Sequence, residues 1–244
     1  MTYQTGPRIV TNGLVFCVDA ADTNSYAGSG TTWNDLSGNG NNGTLINGPI
    51  FSSANRGGIV FDGIDDYVSI TENANMRPQT LTAEVTLKIN STTNTTYGGA
   101  PSTIQYILFR QNSRTSNFEG YTIGYNETTS SFGITATTST GTQYSINTPS
   151  GISPVGGINF ISAVFDTASM SLYNNKIFQA SGVKASGIDY NNIHTLKIGR
   201  TVPSGAAFDA SANATIYSVR IYNRVLSTNE ILQNYNATKG RYGL

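Results

Sequence analysis

Residues 81–89 read Leu-Thr-Ala-Glu-Val-Thr-Leu-Lys-Ile, and apolar and polar side chains alternate over the whole stretch. Successive side chains of a β-strand point to opposite faces, so the five apolar residues share one face. Thr82, Glu84, Thr86 and Lys88 share the other face. This period-two pattern predicts a half-buried strand of an antiparallel sheet.

Short strand-like runs recur along the chain, and turn residues separate them at roughly regular intervals. Residues 159–165 (NFISAVF) are apolar on both faces and predict a central strand. Asn174-Asn175 predicts a hairpin turn, because Asn tolerates positive φ. Further runs occupy residues 13–19, 58–61, 67–70, 104–109, 121–125, 132–137, 170–173, 195–198 and 216–222. The spacing predicts a two-sheet antiparallel β-sandwich with inward-facing Leu81, Val85, Leu87, Phe160, Val164 and Phe165.

One short helix is predicted near the C-terminus, over residues 227–240. Ser227 and Glu230 have the spacing of a capping box, and Leu226 and Ile231 that of a hydrophobic staple. Gly240 is a suitable end for the helix. We expect a single domain over residues 1–244, with residues 1–12 as an N-terminal arm and residues 90–103 as a long polar loop.

The composition excludes several classes of function. The 244-residue chain has 14 Lys plus Arg and 14 Asp plus Glu, and only 11% of its residues are charged. Binding to nucleic acid or to an anionic membrane needs clustered basic charge, so we expect neither. No apolar run reaches the ~20 residues of a membrane span, and we expect no secretory signal at the N-terminus. Cys17, the one cysteine, lies in an apolar run and is expected to be a small core residue.

The common catalytic arrangements are missing from the sequence. It has no Gly-x-Ser-x-Gly motif, no glycine-rich phosphate loop and no His or Cys pair for zinc. The one histidine, His194, lies beside a predicted strand, where a structural role is the usual one. Glycoside hydrolysis needs two carboxylates across one bond, but Glu84 and Glu119 stand alone. We therefore expect a protein that is not an enzyme.

Calcium is the one metal that the sequence leaves open, because it binds clustered oxygens in loops. Asp62, Asp65 and Asp66 form one candidate site, although their Asp-Gly also makes a plain hairpin turn. The loop that begins at Asp35 resembles the start of an EF-hand, but its twelfth position is Ile46 where a bidentate Glu is needed. A turn held by Asn and Ser side chains is the better interpretation of that second loop. No other cofactor is expected.

Saccharide recognition needs planar hydrogen-bonding groups beside an aromatic platform. Trp33, Asn39 and Asn41 in loop 33–43, with Tyr97 in loop 90–103, are the candidate contacts for a glycan or a protein partner. The alternative is that these loops are ordinary solvent-exposed connections.

Several motifs, in order along the chain, resemble those of a laminin G-like, concanavalin A-like jelly-roll domain. They are Gly-Leu-Val-Phe-Cys-Val-Asp-Ala (13–20), Trp-Asn-Asp-Leu-Ser-Gly-Asn-Gly-Asn-Asn-Gly-Thr-Leu (33–45), Phe-Asp-Gly-Ile-Asp-Asp-Tyr-Val (61–68), Asn-Phe-Ile-Ser-Ala-Val-Phe-Asp (159–166), Leu-Lys-Ile-Gly-Arg (196–200) and Val-Arg-Ile-Tyr-Asn-Arg-Val-Leu-Ser-Thr-Asn-Glu-Ile (219–231). The closing residues 233–244 resemble the ends of such domains in virion proteins of large tailed phages. Ile216-Tyr217-Ser218 stands where the family usually has Ile-Asp-Glu, and this departure lowers the expectation of calcium.

The resemblance implies binding and display. We expect a non-catalytic phage virion structural protein, as a fibre, a tail appendage or a capsid decoration, located in the virion and partnered by other virion proteins. The alternative is an adhesion module that recognises host surface polysaccharide. Self-association into a homo-oligomer is left open. Few charges imply contacts through neutral hydrogen bonds, with little dependence on salt.

Overall fold

A computed structural model of the chain describes residues 7–71, 73–92, 103–110, 119–138, 141–190, 195–201 and 210–244. These residues form sixteen strands and one α-helix. The strands are β1 Leu14–Asp19, β2 Thr32–Trp33, β3 Gly43–Ile46, β4 Ile50–Ser52, β5 Gly58–Asp62, β6 Tyr67–Ile70, β7 Leu81–Ile89, β8 Ile104–Arg110, β9 Tyr121–Asn126, β10 Ser131–Thr137, β11 Gln143–Asn147, β12 Ile158–Phe165, β13 Ser169–Asn174, β14 Ile177–Val183, β15 Leu196–Ile198 and β16 Asn213–Tyr222; the helix is α1 Thr228–Thr238.

The strands pair into two antiparallel sheets of eight strands each, within the described part of the chain. The back sheet has the order β14-β13-β12-β7-β16-β5-β4, and β1 also pairs with β16. The front sheet has the order β11-β10-β9-β8-β15-β6-β3-β2. Apolar side chains from both sheets fill the space between them, so the predicted jelly-roll sandwich with one short C-terminal helix is confirmed. No helix in the described ranges is long and apolar enough to cross a membrane.

Strand β7 has the predicted bounds and lies between β12 and β16. Its five apolar side chains are in the core, as expected. The prediction of a half-buried strand is wrong, however, because Thr82, Glu84 and Thr86 on the other face are also 1% exposed or less. Helix α1 and residues 7–12 cover this outer face of the back sheet.

The same covering layer corrects two of the predicted core positions. Phe160 and Val164 are buried, but they lie on the outer face of the back sheet rather than between the sheets. Phe160 packs edge-to-face against Tyr235 of α1, with ring centroids 5.8 Å apart. Phe165 points to the opposite face of β12 from Phe160 and Val164, and it lies in the central core. A second, smaller core therefore lies beneath the helix.

The helix begins as predicted. Ser227 Oγ accepts a hydrogen bond from Glu230 N at 3.3 Å, and Glu230 Oε2 accepts one from Ser227 N at 2.9 Å. Leu226 and Ile231 are buried in the same cluster, as a staple requires. The helical stretch ends two residues before Gly240, and a 3₁₀ turn follows over Lys239–Arg241.

The β13–β14 hairpin turns one residue later than predicted. Asn175 and Lys176, at φ 49° and 68°, are its central residues. Cys17 is buried as expected, and burial raises the pKa of its thiol to about 11.

Candidate functional site

The middle of the back sheet's outer face, over β7, β12 and β16, is covered by α1, although it carries a cluster of polar groups. Glu84 lies 3.7 Å from Arg220 across β7 and β16, and both side chains are almost fully buried. Ser162 Oγ donates to one Glu84 oxygen at 3.3 Å, and Asn234 Nδ2 of α1 donates to the other at 2.9 Å. Burial raises the pKa of Glu84 to about 7, and the Arg220 charge opposes that rise. This cluster fixes the helix to the sheet.

The loop that begins at Asp35 uses its carboxylate internally. Oδ1 accepts hydrogen bonds from the backbone N–H groups of Cys17 and Ser37, each at 2.9 Å. Oδ2 accepts from Ser37 Oγ at 2.7 Å and from Asn41 N at 3.0 Å. With both oxygens engaged, the loop is the side-chain-held turn of the favoured interpretation and not an EF-hand-like site.

The structure corrects two of the contact residues predicted in loop 33–43. Trp33 has no exposed surface, because its indole packs into the central core between the sheets. Asn41 is 5% exposed, and its Nδ2 donates to the carbonyl of Val15 at 2.8 Å. Asn39 is exposed, and its Nδ2 donates to Ser37 Oγ at 2.9 Å and to Val15 O at 3.3 Å. Tyr97 and the one histidine, His194, lie outside the described residues.

The predicted calcium residues do come together. Oxygens of Asp62, Asp65 and Asp66 all lie within 4.8 Å of one another in the β5–β6 loop. Asp62 Oδ1 accepts from Ile64 N at 2.7 Å, and Asp66 Oδ2 accepts from Asp62 N at 3.1 Å. Burial first, and then repulsion from the other two carboxylates, raises the pKa of Asp66 to about 6. Clustered carboxylate oxygens are the type of ligand that Ca²⁺ prefers, and calcium binding here stays a prediction.

The two loops that hold the predicted contact residues start from different ends of the sandwich. Loop 33–43 leads into Gly43, which pairs with Ile70 at the far end of β6. Asn90, where the second loop begins, donates its N–H to Asn213 O at 2.9 Å, and Asn213 Nδ2 donates to Asp62 O at 3.0 Å. The second loop therefore starts at the Asp62 end, and its residues 93–102 lie outside the described residues.

The outer face of the front sheet offers a different surface. Its centre is buried at Phe109, Thr122 and Lys197, which lie in register on neighbouring strands. On the β6 side, the Lys197 ammonium lies 4.7 Å from the centre of the Tyr67 ring. On the other side, β10 and β11 carry uncharged polar groups that point outward.

Strand β11 alternates strictly between inward and outward side chains. Tyr144 and Ile146 pack against the core, whereas Gln143, Ser145 and Asn147 are exposed. On β10, Thr135 pairs with Ser145, and their hydroxyl oxygens are 2.9 Å apart. We define the β10–β11 strip as Thr135, Gln143, Ser145 and Asn147. Sequence reasoning missed it, although the alternation of Gln-Tyr-Ser-Ile-Asn is present in the sequence.

Two glycines lie between this strip and the aromatic side chain of Tyr106. Asn147 pairs with Gly133, Gly133 with Gly124, and Gly124 with Tyr106, so the four lie in one row across the sheet. A Cβ atom at Gly133 would lie 2.3 Å from Asn147 Oδ1, and one at Gly124 would lie 3.0 Å from Ile104 Cγ2. Glycine at both positions leaves room for the neighbouring side chains to lie flat over the sheet.

The chemistry that this surface supports is hydrogen bonding. Strands β9, β10 and β11 contain no Asp, Glu, His, Lys or Arg. Amide and hydroxyl groups both donate and accept, which suits the hydroxyl groups of a neutral sugar. Proton transfer by a carboxylate or an imidazole has no candidate on these three strands.

Comparison with known proteins agrees with this architecture. The sequence profile described as the concanavalin A-like lectin/glucanases superfamily matches residues 62–232. No curated protein sequence matches the chain significantly.

Three similar solved structures illustrate the likeness, and each is distant in sequence. The binding domain of Paraclostridial Mosquitocidal Protein 1 superposes with a TM-score of 0.69 at 16% identity, over 93% of this chain and 52% of that one. The botulinum neurotoxin serotype D ligand binding domain, in complex with N-acetylneuraminic acid, gives 0.68 at 13% identity, over 93% and 51%. A Trypanosoma rangeli sialidase in complex with sialic acid gives 0.64 at 16% identity, over 94% and 33%. This chain thus spans about half or less of each, and the likeness concerns the fold.

Proposed function

We propose a glycan-binding function for this chain, which belongs to the concanavalin A-like lectin/glucanases superfamily. The β10–β11 strip is the surface that contacts the sugar. One observation carries the proposal: α1 closes the middle of the back sheet's outer face, whereas the β10–β11 edge of the front sheet exposes hydrogen-bonding side chains without charge.

The proposed mode of binding is non-catalytic. Strands β9, β10 and β11 carry no carboxylate, Glu84 and Glu119 are buried, and the Asp62 group lies in a loop at one end of the sandwich. None of these places two carboxylates on either side of a sugar lying on the β10–β11 strip, as glycoside hydrolysis requires. Two of the similar structures were solved with sialic acid or N-acetylneuraminic acid, which supports a saccharide as the class of ligand to test first.

A phage virion is the proposed setting, in which the chain is a structural component that displays this face. Its support is the resemblance of residues 233–244 to the ends of such domains in virion proteins. A single set of neutral hydrogen bonds gives weak affinity, and many copies on one particle raise it through avidity. Particles purified from a lysate should contain the chain by mass spectrometry; its presence only as free protein in the host cytoplasm would reject the setting while leaving glycan binding intact.

The binding test is a panel of immobilised neutral and sialylated oligosaccharides, followed by titration calorimetry with the best ligand. Asn147→Ala and Gln143→Ala should each weaken binding about fivefold, because one hydrogen bond contributes about 1 kcal/mol. Thr44→Ala is the matched control, since Thr44 is also exposed on the front sheet but lies on β3, near its opposite edge. The proposal would be rejected if no oligosaccharide of the panel bound, or if the wild type and all variants bound the best ligand equally.

A further inference from the structure

Strand β14 is an edge strand that lacks the usual protection. It ends the back sheet and pairs with β13 on one side alone among the described strands. Its sequence, Ile-Phe-Gln-Ala-Ser-Gly-Val, contains neither a charged residue nor a proline. Edge strands of soluble proteins commonly carry one or the other, because unpaired backbone N–H and C=O groups are a template for another strand.

The same strand exposes an unusual amount of apolar surface. Val183 is 81% exposed, Ile177 60% and Phe178 53%, so three of the ten exposed large apolar side chains in the described residues belong to β14. Ile152 and Val155, 39% and 42% exposed, lie in the neighbouring loop. That loop is joined to the β13–β14 hairpin by a hydrogen bond from Asn174 Nδ2 to Ser153 Oγ at 2.9 Å.

We propose that β14 pairs with β14 of a second copy of this chain, antiparallel and across a two-fold axis, to form one continuous sheet. The side chains of β14 are suited to pairing with a second copy of the same strand. Phe178 contacts Tyr173 on the outer face, with ring centroids 5.6 Å apart. Gly182 faces Ile146 on the inner side, so its neighbour Val183 points outward like Phe178. Antiparallel pairing then sets Phe178 of each copy near Val183 of the other.

Charge does not oppose this pairing. The strand is uncharged, and the two flanking lysines are occupied within their own copy. The Lys184 ammonium is buried and donates to Thr167 O at 3.0 Å, while the Lys176 ammonium lies 5.0 Å from the centre of the Tyr235 ring. An anionic partner strand would find no free cation on β14, whereas a second uncharged β14 buries no unpaired charge.

The surface area that two paired β14 strands would bury predicts a weak dimer. A seven-residue strand is ~24 Å long, and the edge of a two-sheet sandwich is ~20 Å wide. Each copy therefore buries roughly 500 Å², and the pair buries roughly 1,000 Å² in total. Stable complexes bury about 1,200–2,000 Å². The register shift of the β13–β14 pair at Leu172/Tyr173 shortens the regular part of the edge further. A weak dimer that forms only at high protein concentration is therefore expected.

Sedimentation equilibrium of the whole chain, from about 5 to 500 μM, tests the pairing. The mass should rise from 26.0 kDa toward twice that value with concentration. Val183→Lys and Val183→Glu should each weaken the dimer at least tenfold, and because Val183 is so exposed both variants should keep the wild-type circular dichroism spectrum. Ile50→Lys is the control: Ile50 is 65% exposed on β4, the other end of the same sheet, and its replacement should leave the dimer unchanged.

Cysteine cross-linking tests whether the two β14 strands lie beside each other in the dimer. Ser181→Cys, on the exposed middle of β14, should form an intermolecular disulfide on mild oxidation, whereas Ile50→Cys should not. The native Cys17 is buried and does not compete. A monomer at every concentration, or a dimer that both Val183 variants and the Ile50 control affect equally, would overturn the proposal. Sugar binding per chain should be unchanged in Val183→Lys, so the two proposals fail separately.

Discussion

Replacing Asn234 by Ala should destabilise the protein far more than an ordinary helix substitution. Asn234 Oδ1 accepts from Val10 N at 2.8 Å, and its Nδ2 donates to Glu84 Oε2 at 2.9 Å and to Tyr222 Oη at 3.0 Å. Each neutral bond contributes about 1 kcal/mol and the bond to the carboxylate about 1.5–3 kcal/mol. The better helix propensity of Ala returns about 0.5 kcal/mol. The free energy of unfolding should therefore fall by about 3–4.5 kcal/mol.

Urea denaturation of the whole chain measures this loss, with Gln233→Ala as the matched control. Gln233 is also an amide of α1, but it is exposed and donates to Arg8 O at the surface at 2.8 Å. Its removal should cost about 0.5 kcal/mol or less. Amide exchange at Val10 should accelerate in Asn234→Ala alone. A loss below about 1 kcal/mol, or equal losses in the two variants, would show that α1 is not fixed to the back sheet through Glu84.

Four further outcomes are expected. Ser227→Ala should lower the free energy of unfolding by about 0.5–2 kcal/mol in urea melts, because the cap of α1 is lost; Asn229→Ala, at an exposed position inside the first turn of the helix, should not match it. Phe165→Ala should cost about 3–5 kcal/mol in the same assay, and a loss under about 1 kcal/mol would refute a packed central core. The pKa of Asp66 is raised to about 6, so the folded state binds that proton more tightly than the unfolded state. Protonated Asp66 therefore stabilises the fold below pH ~4, and this stabilisation is lost as the pH rises through about 6. Asp66→Asn should flatten that part of the pH–stability curve, and an unchanged curve would contradict the burial of this acid. Glycan affinity should be nearly constant from low to moderate NaCl, whereas a steep fall would indicate charged contacts.

Strands with a clear pattern could be predicted from the sequence, and those without one could not. The alternation in residues 81–89 yields β7 with its correct bounds. It could not reveal that Thr82, Glu84 and Thr86 are covered, because the covering helix comes from a segment more than 140 residues away. Short or polar strands such as β2, β4 and β11 have too few apolar residues to stand out from the turns around them.

The site was harder to predict than the fold. Trp33 was chosen because aromatic rings bind sugars, but a ring in a strand beside small residues such as Gly43 packs inward. The cluster of Asp62, Asp65 and Asp66 is predictable because its members lie within five residues of one another. The β10–β11 strip depends on pairing between Thr135 and Ser145, and on which sheet faces remain uncovered. Neither property is local to any stretch of sequence.

The sugar's footprint on the protein tests the central claim most directly. Backbone amide chemical shifts of the isotope-labelled chain, recorded during titration with the best oligosaccharide of the panel, would locate the contact residue by residue. The account predicts that the largest changes fall on residues 131–137 and 143–147, with little change in α1 over Thr228–Thr238. Changes concentrated in loop 33–43 or around Asp62, with none on β10 and β11, would contradict it.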